Sequence, residues 1–123
     1  MNIIKQVFYL SNIVLFILYL SPCSLLGYFI NKDCKLQPQI TGDFIVSTNH
    51  ALAFALLSII GLFAFRKNLK KILIYLIFIS IFLEICHLVI PDRGFQIIDL
   101  FGNIVGVIIS FSIFKIVNRG KNK

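Results

Sequence analysis

The chain has 123 residues, 59% of them hydrophobic and 14% charged, with a mean hydropathy of +0.94. Soluble domains carry about a quarter charged residues, so this balance excludes a water-facing globule; with 13 Phe, 7 Gly and 3 Pro it excludes a disordered or collagen-like chain too. The net charge of +7 sits in short clusters between apolar runs, without the basic face and interleaved aromatics that nucleic acid requires.

What remains is an integral membrane protein, and the length suits one domain over residues 1–123. A bilayer core takes about 20 mostly apolar residues as a helix. Four runs meet that requirement. The first predicted span is Val7 to about Tyr28, with Pro22 kinking or ending it near its far side. A single Lys5 precedes it and no small-x-small site follows, which favours a retained helix over a cleaved signal. The second runs from Phe44 to Phe65, the third from Ile72 to Ile90 with Pro91 as its stop, and the fourth from Phe95 to about Phe114. Backbone polar groups in lipid must be satisfied within the segment, so runs of this length are helices. The predicted fold class is all-α, a four-helix membrane bundle.

Orientation follows from Lys and Arg. The amino end, the second loop and the carboxyl end share one side and hold Lys5, Arg66, Lys67, Lys70, Lys71, Lys115, Arg119, Lys121 and Lys123. The other side has Lys32, Lys35 and Arg93 against Asp33, Asp43 and Asp92. Both termini are therefore expected in the cytoplasm of a multi-pass protein, with the Arg66–Lys71 cluster touching anionic lipid heads.

Polar side chains inside the apolar runs are costly and must face the bundle interior. His50, Glu84 and His87, and Asp99 and Asn103, stand on the second, third and fourth spans respectively, and Arg93 lies in the turn between the last two. At about 1.5 Å per residue, His50 and Glu84 are each about 9 Å deep, and Asp99 and Asn103 roughly 6 and 12 Å, all from the outer side. Glu84 and His87 share a stripe with Ser80, and Asp99, Gly102, Asn103, Gly106 and Ser110 share another. Gly102 and Gly106 form a G-x-x-x-G pair that lets a neighbouring backbone approach. The short turn at residues 90–94 makes the last two helices antiparallel neighbours with their polar stripes facing.

Glu84-x-x-His87, then Pro91-x-Arg93, then Asp99, Asn103 and Gly106, resembles the signature of the VanZ-like membrane proteins, with His50 matching an upstream His. The resemblance covers about the last 80 residues. It departs at His87, where Gln is commoner, and at Thr48-Asn49, where an acidic-basic pair is usual ahead of the His. It implies a four-helix topology, an outward-facing polar site and a bacterial cell-envelope setting. It also implies a link to tolerance of glycopeptide antibiotics such as teicoplanin, without naming a reaction.

Three roles are open to these residues. Arg93, Glu84, Asp99 and Asn103 form a candidate ligand-binding set for the head of an amphiphile: an envelope lipid, a precursor or a lipophilic glycopeptide. His50, Glu84 and His87 are candidate catalytic groups for an intramembrane hydrolase or transferase acting on a lipid-linked substrate. A structural accessory subunit is the third reading, with Arg93 clamping helix ends and Asn103 bonding within a packed interface. The partners are then the bilayer and one lipophilic ligand, not nucleic acid. No cofactor is expected. Two His with a carboxylate make a workable metal set, but no H-E-x-x-H is present, so hydrogen bonding is expected ahead of proton transfer and metal is assigned to none of them. Cys23 and Cys34 fall on the outer side, where a disulfide is chemically permitted and their separation compatible with one, with two free thiols the favoured reading; Cys86 is expected as a buried apolar residue.

Overall fold

A computed structural model of the chain describes residues 2–21, 28–29, 32, 48–90 and 95–121, and the regular structure among them is entirely helical. The helices are α1 (Ile3–Leu20), α2 (Thr48–Ala64), α3 (Leu69–Cys86) and α4 (Ile97–Lys121), with a 3-10 turn at Arg66–Asn68 joining α2 to α3. Arg93, Cys23, Cys34, Pro22 and Pro91 lie outside the described residues.

The helix ends depart from the apolar runs for local reasons. Asn2 caps α1, its side chain accepting from the Ile4 N–H at 3.1 Å, so the helix starts ahead of Val7. It stops at Leu20, short of Tyr28, because Ser21 is extended, the conformation favoured before a proline. α3 begins three residues before Ile72 and takes Lys70 and Lys71 into its first turn. It ends at Cys86 rather than Ile90, as the N–H groups of His87, Leu88 and Val89 turn to carbonyls three residues back. α4 runs past Phe114 through Lys115 and Arg119, good helix formers whose charge suits a helix C-terminus.

Consecutive helices run antiparallel. At one end Phe8 of α1 meets Phe65 after α2, with ring centroids 5.4 Å apart, and the Tyr75 hydroxyl of α3 donates to Asn12 Oδ1 at 2.9 Å. Phe63 of α2 meets Phe114 of α4 at 5.0 Å. Lys5, Arg66, Lys67, Lys70, Lys71, Lys115 and Arg119 belong to the helix ends gathered there, and the Lys5 ammonium sits 5.3 Å from the Phe65 ring centre. An apolar cleft of about 490 Å³, lined by Phe8, Phe65, Ile72 and Tyr75 among others, opens at this basic end.

α3 and α4 are in contact, as the short turn between them predicts, but the most extensive packing is between α2 and α4. Small residues allow it. A Cβ on Gly106 would strike the Ala51 carbonyl oxygen and come within 2.9 Å of the Ala55 nitrogen, so the two backbones are in direct contact. Ser110 Oγ adds a hydrogen bond to the Ala55 carbonyl at 2.7 Å. The expected stripe is realised on α4: Gly102, Asn103, Gly106 and Ser110 are buried, with Val107 and Phe114 beside them.

The core joins Phe54, Leu57 and Leu62 of α2 to Leu76, Ile79 and Leu83 of α3. The outside is equally apolar. Leu10, Leu56, Ile74, Phe78 and Ile116 are each at least 60% exposed, far beyond the scattered apolar residues a soluble monomer shows. α1 and α4 are long and apolar enough to cross a membrane. α2 has 17 residues, and α3 carries Lys70, Lys71 and Glu84 among its 18.

Candidate functional site

At the end opposite the basic cluster, the last turn of α1, the first of α2, the last of α3 and the first two of α4 bring their polar residues together. His50, Glu84, His87 and Asn103 are buried, and Asp99 stands at the rim with 18% of its side chain exposed. Depth reckoning from the sequence places these residues at one level, and the structure brings them into contact. Tyr19 and Gln96 join them without a signal in the sequence.

Asn103 is the fixed point. Its Nδ2 donates to the Ser80 carbonyl at 3.0 Å, which orients the amide because a carbonyl can only accept. Oδ1 therefore faces Tyr19 and His50. The Tyr19 hydroxyl donates to it at 2.8 Å, and His50 Nδ1 lies 3.0 Å from it and 2.9 Å from the hydroxyl oxygen. The single hydroxyl proton is committed to Asn103, so His50 Nδ1 must carry its own proton to avoid facing two lone pairs. In the neutral ring this leaves the lone pair on Nε2, and Nε2 faces Asp99 Oδ2 at 3.8 Å.

His87 is fixed in the opposite sense. Its Nε2 lies 3.0 Å from the Tyr19 carbonyl and must donate, which turns Nδ1 toward Glu84 Oε1 at 3.2 Å. That contact holds only if one proton lies between them, so Glu84 and His87 form a pair with no net charge. The Gln96 N–H gives Oε1 a second donor at 3.3 Å. The His87 ring also stacks on Tyr19, at 5.6 Å between centroids and 16° between planes.

Glu84 Oε2 is the exception. It is fully buried, makes no hydrogen bond, and stands 3.8 Å from His50 Nδ1, beyond hydrogen-bond range. Ser58 Oγ is also buried without a partner, but a hydroxyl on a helix can rotate toward its own backbone carbonyls. A carboxylate oxygen has no such recourse. One ligand atom from each of His50, Glu84 and Asp99 lies within 4.8 Å of the other two, so these three could hold a metal ion together. Cys86 is half-buried and free, and takes no part.

Tyr19→Phe tests the network directly. It removes the hydroxyl and leaves the ring stack on His87, so a loss of about 1 kcal/mol is expected. The unfolding midpoint of the purified protein in detergent measures it. An unchanged midpoint would mean that the hydroxyl bonds contribute nothing.

Neither curated proteins nor solved structures show a match to the chain. The sequence model of the VanZ/LLP1 family does match, over residues 2–118, which takes in α1 as well as the helices that carry the motif. With the polar cluster inside that span, the chain is a VanZ-like cell-envelope protein and belongs to the VanZ/LLP1 family.

Proposed function

We propose that the chain crosses the bilayer four times with both termini in the cytoplasm, and that its outer polar cluster receives the head of an amphiphile. The apolar exterior and the basic residues gathered at one end support this placement. At about 1.5 Å per residue, α2 and α3 span roughly 26 and 27 Å, close to the hydrocarbon thickness.

One observation carries the binding role: polar groups from four helices converge and grade from a partly exposed rim at Asp99 to the unpartnered Glu84 Oε2. A cluster built only to pair helices would close its own hydrogen bonds. The head that suits this gradient brings donors, such as hydroxyl or ammonium groups. Envelope lipids, their precursors and lipophilic glycopeptides all carry such groups, and each places acyl chains along the exposed flanks. Arg93 belongs to the connection whose described ends, His87 and Gln96, both bond Glu84, and it adds a forked donor for a phosphate.

Native mass spectrometry of the purified full-length protein checks this. Wild type retains a defined lipid, Arg93→Ala and Glu84→Ala lose it at normal yield, and cells carrying either variant lose any glycopeptide tolerance the wild type confers. Unchanged lipid retention and tolerance in both variants would sink the binding role. A second reading, an intramembrane hydrolase or transferase, draws on the His50 Nε2 lone pair, which is placed as a general base beside Asp99. It requires turnover of a lipid-linked substrate that His50→Gln abolishes.

A further inference from the structure

We propose that His50, Glu84 and Asp99 bind a first-row divalent cation, zinc or manganese, at the outer end of the bundle. The cation deepens the binding role and rests on the same buried Glu84 Oε2, with the ion rather than a head-group donor facing that oxygen. Three features carry it.

The first is the ligand set. An imidazole and two carboxylates from three separate helices hold ligand atoms within 4.8 Å of one another. The separation is wider than the roughly 3.4 Å between ligands of a tetrahedral zinc. Binding therefore draws Glu84 Oε2, which stands 3.8 Å from His50 Nδ1, and Asp99 Oδ2, 3.8 Å from Nε2, in toward the Nε2 lone pair.

The second is the buried oxygen. Glu84 Oε2 is fully buried without a hydrogen bond, while Oε1 is held by His87 and the Gln96 N–H. Carboxylates that bind metals show this division, one oxygen fixed by outer donors and the other turned to the ion.

The third is the imidazole. Ser80 orients Asn103, and Asn103 with Tyr19 holds the proton of His50 on Nδ1. Metal-binding His residues are fixed in this way, the far nitrogen donating to a polar partner and the near one presenting its lone pair. Here Nε2 faces Asp99 Oδ2 at 3.8 Å, so a lone pair and a carboxylate point at a shared space. A cation there takes up the Nε2 lone pair and the buried Glu84 Oε2, with Asp99 Oδ2 as its third ligand. His87 is excluded as a ligand, since both of its nitrogens are engaged.

Three protein ligands leave positions open on the ion. Asp99 is the most exposed of the three, so the open side faces the rim. A cation there lets an otherwise acidic cluster accept an anionic head, and the fitting ligand chemistry is a phosphate oxygen.

The experiment uses untagged, full-length protein in detergent, stripped with chelator and reloaded with zinc or manganese, with metal counted by plasma mass spectrometry. About one ion per chain is expected, with at least a tenfold loss of affinity in Asp99→Asn and Glu84→Gln. Ser112→Ala, on the exposed face of α4, should bind as wild type does. Circular dichroism confirms that each variant is folded. Substoichiometric metal on wild type overturns the proposal, and so does equal affinity in the two folded ligand variants. Lipid retention is measured on the same samples, so loss of lipid without loss of metal, or the reverse, shows which of the two inferences has failed.

Discussion

Gly106→Val is expected to lower stability by about 3 kcal/mol, at the upper end of what overpacking a close contact costs. The new side chain has no room: the Ala51 carbonyl, the Ala55 nitrogen and the Phe54 Cβ, at 3.0 Å, all belong to one turn of α2. Backbone atoms cannot rotate away as a side chain can, so α4 must lift from α2. The Ser110 bond to Ala55, one turn on, would lengthen with it. Gly61→Ala provides the control. Its Cβ also comes too close, 2.7 Å from Cε2 of Phe8, but the obstacle is a ring that can tilt. Thermal unfolding in detergent should show a clearly larger loss at Gly106, even for Gly106→Ala. Equal losses at the two glycines would mean that the α2–α4 contact is not the closest seam of the bundle.

Glycine spacing announced that seam without naming its partner. The G-x-x-x-G pair, the polar stripe of α4 and the common depth of His50, Glu84 and Asp99 can all be read from helical rise and periodicity, because both are fixed by backbone geometry. Helix rotation and neighbour choice are not so fixed. The short turn after α3 makes α3 and α4 neighbours, and the Asn103–Ser80 bond joins their polar stripes, yet the tightest seam of α4 is with α2, where the backbone at Ala51 to Ala55 is open enough to admit Gly106. Tyr19 stayed hidden for a related reason. It is one of several aromatic residues in an apolar run, and only the rotation of α1 turns its hydroxyl onto Asn103. Gln96 enters through its backbone N–H, which every residue except proline carries, so its side chain gives no clue. The ends of the helices were misplaced wherever a cap or a turn, rather than hydropathy, set the limit.

Asn103→Leu is the substitution expected to reach furthest into the site. Leucine matches the size of the amide roughly and suits an apolar bundle, so packing alone predicts tolerance. The hydrogen bonds predict otherwise. The Ser80 carbonyl loses its side-chain donor, the Tyr19 hydroxyl loses its acceptor, and His50 Nδ1 loses the oxygen that holds its proton. Each buried polar group left unpaired costs about 1–3 kcal/mol, and the hydroxyl can recover part by turning toward His50. A net loss of about 2–4 kcal/mol follows. The consequence for His50 is more diagnostic than the stability. Once Asn103 Oδ1 is gone, the Tyr19 proton can go to Nδ1, which moves the ring's own proton to Nε2, the nitrogen that faces Asp99. Nitrogen-15 spectra of the imidazole distinguish the two tautomers: Nδ1–H in wild type, Nε2–H in Asn103→Leu. Asn103→Asp keeps an acceptor for Tyr19 and His50 but sets a carboxylate against the Ser80 carbonyl, so it should keep the wild-type tautomer while losing stability. If Asn103→Leu leaves the proton on Nδ1, the amide does not control His50, and the chain of hydrogen bonds from Ser80 to Nε2 has no bearing on what the site binds.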